Sequence, residues 1–137
     1  KINFSLTLSG CIIKFNTNKV FIIREFCNIS DNNIYINKYE KLAWDNRFLI
    51  TNTTKFKLEI VPLGKVISCP EYKKIYFKNK KNIKKIPYKA RITLPVIKTL
   101  EGLVFIPHLS IYKLNKSMIN LELVTIDFYN KKYDNIF

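Results

Sequence analysis

The chain has 137 residues, with 24 Lys and Arg against 10 Asp and Glu and a formal net charge of +14. That length buries one good core and leaves two full domains cramped, while 47% hydrophobic and 14% aromatic residues exclude an intrinsically disordered chain. So one-sided a charge repels itself in the compact state and calls for a negative partner, nucleic acid first, then an anionic membrane surface or an acidic protein.

Lys, Asn and Ile are abundant together, a bias that an AT-rich genome imposes on any protein, so part of the basic excess carries no function. No stretch approaches the ~18 apolar residues of a bilayer span, and KINFSLTLSG lacks the apolar core of a signal peptide. The expectation is a cytoplasmic chain with no membrane partner. A first residue of Lys1 rather than methionine reads as a fragment of something longer. Cys11, Cys27 and Cys69 are odd in number, widely spaced and without a CxxC pair, which supports neither a disulfide framework nor a zinc site. They read as buried small hydrophobes.

In chain order, Cys11 to Phe15 and Val20 to Arg24 are β-branched and aromatic runs around Asn16-Thr17-Asn18-Lys19, which predicts a hairpin. Arg47 to Ile50 and Lys55 to Ile60 flank Thr51-Asn52-Thr53-Thr54, which predicts a second one. From Pro70 to Ile86, Tyr72, Ile75, Tyr76, Ile83 and Ile86 fall near helical spacing. Lys74, Lys78, Lys81 and Lys85 recur three or four residues apart on another face, with Asn79 and Asn82 as weak points. Pro87 disfavours helix before it and is placed to start a short turn from Tyr88 to Ile92. Pro95 to Ile97 and Leu103 to Ile106 bracket Glu101-Gly102, and the run from Ile119 to Phe128 alternates again.

The predicted fold is α+β and mostly antiparallel, sandwich or barrel-like, with one basic helical segment packed on it. It reads as a single domain over 1–137: a β-rich part at 1–69, the basic segment at 70–93 and closing strands at 94–137.

Gly10, Gly64 and Gly102 are far apart, so no phosphate-cradling glycine loop can be built, and no cofactor is expected on this chain. His108, in Ile106-Pro107-His108-Leu109, has Cys69 or Ser110 as conceivable nucleophile partners but no elbow motif; a strand-end histidine bonded to backbone is the plainer reading. Asp31, Asp45, Glu59 and Glu101 stand singly, without metal-ligand spacing. No catalytic residue is predicted.

The signal that remains is basic. Lys73, Lys74, Lys78, Lys80, Lys81, Lys84, Lys85, Lys89 and Arg91 crowd one short segment with only Glu71 nearby, interleaved with Tyr72, Tyr76 and Tyr88. Such a cluster attracts a phosphate backbone by counterion release, and the aromatic rings offer stacking; its plain alternative is a solvated face on an ordinary helix.

Several stretches, in order, resemble the C-terminal region of the bacterial tRNA(Ile)-lysidine synthetases, in their α-proteobacterial form. They are Thr7-Leu8-Ser9-Gly10-Cys11, Arg24-Glu25, Trp44-Asp45-Asn46-Arg47-Phe48, Lys85-Ile86-Pro87 with Arg91, Leu94-Pro95-Val96-Ile97, and Gly102 through Ile106-Pro107-His108-Leu109. That family uses ATP, with magnesium, to join lysine to the wobble cytidine of an isoleucine tRNA, changing codon reading from AUG to AUA. Its SGGxDS loop belongs to an N-terminal catalytic domain and is absent here. The resemblance therefore implies a non-catalytic tRNA-binding domain whose partners are tRNA and its own N-terminal domain. It also implies a small β-rich module shared with the phenylalanyl-tRNA synthetase beta subunit.

Carried over, Lys85, Lys89 and Arg91 fall in the family's basic element and lead the RNA-contact candidates, with Lys84, Lys73, Lys74, Lys78 and Lys81 beside them. Trp44 and Phe48 read as core anchors, with Asp45 to Arg47 holding a turn. Ser9 and Asn46 stand where the family favours glycine; asparagine tolerates a positive φ, which Ser9 does less readily. The tail beyond Lys113 matches nothing. The rival expectation is a protein-interaction or dimerisation module with a basic face.

Overall fold

The computed structural model describes residues 4–16, 18–29, 33–78, 83–84, 86–99, 104–109, 111–113 and 124–128. It consists mostly of antiparallel sheets with a few short helices, as the α+β expectation has it. The first sheet is a meander of β1 (Phe4–Leu8), β2 (Cys11–Asn16) and β3 (Lys19–Arg24). The β2–β3 pairing runs from Cys11 opposite Arg24 to Asn16 opposite Lys19, so the first predicted hairpin is present. β1 joins β2 through Ser9 and Gly10, both at positive φ (48° and 73°), as a two-residue I′ turn requires. Ser9 thus takes the conformation that its side chain disfavours.

A central sheet has the order β10 (Ile111–Lys113), β9 (Val104–Ile106), β8 (Pro95–Thr99), β7 (Leu58–Pro62) and β4 (Ile34–Ile36). A third contains β11 (Val124–Phe128), β6 (Phe48–Asn52) and β5 (Lys41–Trp44). β8 and β9, from the two runs that bracket Glu101-Gly102, pair with each other, and part of the alternating run after Ile119 supplies β11.

The second predicted hairpin does not form. β6 lies between β5 and β11, while β7 pairs with β4 and β8 in another sheet. The reason is Asn52, which is fully buried and turns the chain away by its own side chain. Its Nδ2 donates to the carbonyls of Asn37 (2.9 Å) and Phe56 (2.8 Å), and its Oδ1 accepts from the backbone N–H of Thr54 (2.9 Å) and from its hydroxyl (2.7 Å). A buried amide so fully partnered is a costly group to strand.

Helices α1 (Leu63–Val66), α2 (Pro70–Lys78) and α3 (Tyr88–Arg91) lie between β7 and β8. The sequence reading has no α1, and the helix predicted over 70–86 is described to Lys78; Asn79 to Asn82 and Lys85 lie outside the described residues. The turn after Pro87 is present as α3, with Pro87 just before its first residue. One core joins the sheets and helices: Trp44, Phe48, Ile50, Leu58, Ile60, Leu63, Val96, Ile97, Ile106 and Leu109 are buried together, with Tyr76 and Ile83 from the helical segment. Ile23 is buried but outside this cluster, so the β1–β3 sheet attaches to the body by other means.

The cysteines differ from expectation. Cys27 and Cys69 are exposed and Cys11 is half-buried. In the 3-10 turn Phe26–Asn28 it is Phe26 that packs on the core, and Cys69 caps the start of α2 by accepting the backbone N–H of Lys73 (2.9 Å).

Gly64 has a stricter role. Its N–H donates to the carbonyl of Ile92 (2.8 Å), and a Cβ there would overlap the Phe26 ring. Gly64→Ala is expected to cost about 2 kcal/mol by overpacking, and Phe26→Ala in the same chain to recover part of its own loss, a coupling that urea titration of the double-mutant cycle reads.

Candidate nucleic-acid interface

Pro70 suits the first turn of α2, where its missing N–H would have no helical partner. From there the helix sorts its residues by period. Tyr72 and Tyr76, four apart, turn inward, Tyr76 to 4% exposure. Pro70, Lys73, Lys74, Phe77 and Lys78, at i, i+3, i+4, i+7 and i+8, line an open groove of about 520 Å³. The three lysines are exposed and Phe77 is 49% exposed. Among the described residues no carboxylate pairs with any of the three, whereas Lys98 is neutralised by Glu59 across β7 and β8 at 2.8 Å. The groove therefore gathers three exposed ammonium groups around an aromatic face, with no carboxylate partner among the described residues.

Of the other candidates, Lys84 and Lys89 are exposed, and Lys81 and Lys85 lie outside the described residues. Neither Lys84 nor Lys89 lines the groove. Arg91 is half-buried and turned to an internal task. Its Nη1 donates to the Tyr76 hydroxyl (2.6 Å), and its guanidinium lies 5.9 Å from the Tyr76 ring and 5.6 Å from that of Tyr88. This brace fixes α3 on the inner side of α2. Burial raises the Tyr76 pKa above the ordinary phenol value, with Arg91 acting against it. Phe77 is the residue that the sequence reading passed over; its helical register with Lys73 and Lys74 was the available signal.

A second constellation gathers the stretches that carry the family resemblance. Asp45, its side chain 6% exposed, receives Arg47 Nε at 2.6 Å and Arg24 Nε at 3.3 Å. Arg24 also donates to the carbonyls of Gly10 (3.3 Å) and Asn28 (3.0 Å). Arg47 donates to the carbonyl (2.8 Å) and hydroxyl (3.3 Å) of Thr93, and its guanidinium lies 4.9 Å from the Phe48 ring centre. One carboxylate thereby clamps the β1–β3 sheet, the β5–β6 turn and the end of α3. Asp45 and Asn46 have φ of 51° and 53°, and Arg47 N–H donates to the Trp44 carbonyl at 3.1 Å, closing a tight turn on residue types that tolerate it. Trp44 and Phe48 are 2% and 3% exposed. The motif is structural.

His108 lies in the 3-10 turn Pro107–Leu109, its ring edge-on to Phe48 at 4.8 Å. Burial lowers its pKa from 6.5, and Arg47 adds to the shift. The unfolded chain therefore binds the proton first, so stability is complete above pH about 6.5 and is lost as pH falls from there toward the lowered folded value. His108→Gln is expected to flatten the melting temperature between pH 7 and pH 5, measured by circular dichroism. Ser110 lies outside the described residues, and Cys69 is exposed ahead of α2. Among the described residues no group of His, Cys, Asp and Glu is arranged to hold a metal ion.

No family model and no solved structure matches the chain. Curated relatives do. It is 37% identical over 117 residues, 81% of its length, to the tRNA(Ile)-lysidine synthase of Rickettsia prowazekii, and 32% identical over 140 residues, 88% of its length, to that of Rickettsia akari. The synthase of Rickettsia rickettsii is 36% identical over 131 residues. The chain is a relative of the C-terminal part of the tRNA(Ile)-lysidine synthases. It spans about a quarter of their length, 26% for the Rickettsia prowazekii synthase and 28% for the Rickettsia akari one. The synthase relationship and its α-proteobacterial character stand as the ordered stretches predict.

Proposed function

We propose that this chain is the tRNA-gripping C-terminal region of a tRNA(Ile)-lysidine synthase. In this reading the parent enzyme uses ATP and magnesium to attach lysine to the wobble cytidine of isoleucine tRNA in the cytoplasm. That chemistry belongs to the part of the synthase which this chain does not match; the chain itself holds no cofactor and supplies grip. The likeness to the phenylalanyl-tRNA synthetase module belongs to the same proposal. The supporting observation is the outer stripe of α2, where Lys73, Lys74 and Lys78 surround Phe77 with no acidic partner among the described residues. Ammonium groups of this kind neutralise phosphates without reading sequence, and an exposed ring among them stacks on an unpaired base. Lys84 and Lys89 extend the basic surface, Lys81 and Lys85 lie in the same segment of sequence, and Arg91 contributes by holding α3 in place. No helix among the described residues is long and apolar enough to cross a membrane.

The test is fluorescence anisotropy of the chain with an unmodified isoleucine tRNA transcript, an elongator methionine tRNA competing. About four to six phosphate contacts give a log-affinity slope of roughly −3 to −5 against log salt. Phe77→Ala is expected to weaken binding by about 1 to 2 kcal/mol without changing that slope, because stacking carries no counterion release. Absence of binding at low salt would leave the rival reading, a basic face that docks on an acidic protein surface.

A further inference from the structure

The β1–β3 sheet shows solvent the wrong face. Its register places Phe4 opposite Phe15 and Phe15 opposite Val20, Leu6 opposite Ile13 and Ile13 opposite Ile22, and Leu8 opposite Cys11 and Cys11 opposite Arg24. Residues directly opposite one another share a face, so these nine form one surface. Eight are apolar. Phe4, Leu8, Phe15, Val20 and Ile22 are 53%, 60%, 38%, 57% and 72% exposed, and the Phe4 and Phe15 rings lie 5.9 Å apart. The ninth, Arg24, is spent on Asp45. Lys14 and Lys19 belong to the opposite face, which also carries the buried Ile23.

An antiparallel sheet with one wet face normally turns its polar side to water. A contiguous apolar patch of this extent is covered in the working protein. RNA does not suit it, because the described residues of this face include no free cation to offer a phosphate backbone. The occupant must be an apolar protein surface, and the relatives indicate which. They are about four times as long as the matched region, which is their C-terminal part, so three quarters of a synthase precedes it. β1 is an edge of the sheet, and it contributes three residues to this face.

We propose that the face built on Phe4, Leu8, Phe15, Val20 and Ile22 is the docking surface for the preceding part of a tRNA(Ile)-lysidine synthase. It rests on the synthase relationship and is independent of the RNA reading. The basic stripe of α2 and this apolar face then have separate partners, one nucleic acid and one protein.

The experiment mixes the chain with the separately produced part of the Rickettsia prowazekii synthase that lies outside the matched quarter, and measures association by calorimetry at two salt concentrations. The expected result is binding that salt barely weakens, that falls at least about tenfold in Val20→Glu/Ile22→Glu, and that survives neutralisation of Lys73, Lys74 and Lys78. The same double variant should bind tRNA as the parent chain does, which keeps the two readings apart. Both residues are exposed, so the fold should stand; Val20→Thr/Ile22→Thr, a milder pair at β-favouring residues, serves if it does not, with the same expected ordering. No association, or association indifferent to either pair, overturns the proposal. So does sedimentation that shows the chain as a dimer dissolved by Val20→Glu/Ile22→Glu, because a second copy then covers the face.

Discussion

Asp45→Asn should melt about 10 °C below the parent chain. The substitution keeps the shape of the side chain and its tolerance of the positive φ at this position, and removes the charge that Arg24 and Arg47 share together with one of the two oxygens that accept from them. Taking one partner from a buried ion pair strands the others and typically costs about 3 to 5 kcal/mol; the partial exposure of both arginines points to the lower figure. At roughly 3 to 4 °C per kcal/mol for a domain of this size, that becomes the expected drop. Asp45→Ala should cost about 1 kcal/mol more, because alanine also disfavours the left-handed turn. Circular dichroism melts of the three chains measure both steps. If Asp45→Asn melts within about 2 °C of the parent, the carboxylate is not the clamp between the β1–β3 sheet and the body.

The second large effect concerns the groove. Lys73→Gln/Lys74→Gln/Lys78→Gln removes three exposed ammonium groups, so stability should hold while RNA affinity falls. If each lysine neutralises one phosphate, the salt slope becomes less steep by about 2 to 3. The affinity at low ionic strength should drop by more than tenfold, in proportion across different tRNAs, since phosphate contacts carry no base information. Arg91→Lys makes the contrast. It keeps the charge but loses the planar fork that reaches Tyr76, so it should lower the melting temperature more than the slope.

Local features of the fold were legible in the sequence, and distant ones were not. The β2–β3 hairpin shows in two apolar runs and an asparagine-rich turn, and α3 in a proline followed by four helix-compatible residues. The false hairpin of β6 with β7 arose from the same cue, a short polar gap between two strands. Nothing local discloses that Asn52 is buried and bonded to Asn37 and Phe56, or that the true neighbour of β6 is β11, more than 70 residues further on. The lysines of the basic segment could be found by eye, but which of them share a surface with Phe77 depends on the helical register and on where α2 ends. Arg91 shows the limit of reading charge alone: it sits in the basic run and hydrogen-bonds a tyrosine. The apolar face of the β1–β3 sheet was hidden for a related reason. Alternation reveals that a strand has two faces, and here the richer one points away from the core.

In the proposed reading the outer stripe of α2, and not diffuse positive charge, holds the tRNA. Lysine-reactivity footprinting tests it most directly: the chain is acylated with and without an isoleucine tRNA transcript, and each lysine is followed by mass spectrometry. The expected result is strong protection of Lys73, Lys74 and Lys78, with Lys14 and Lys19 of the β1–β3 sheet reacting as before. Equal protection of all lysines, or protection of Lys14 and Lys19 while the α2 lysines stay open, would contradict it.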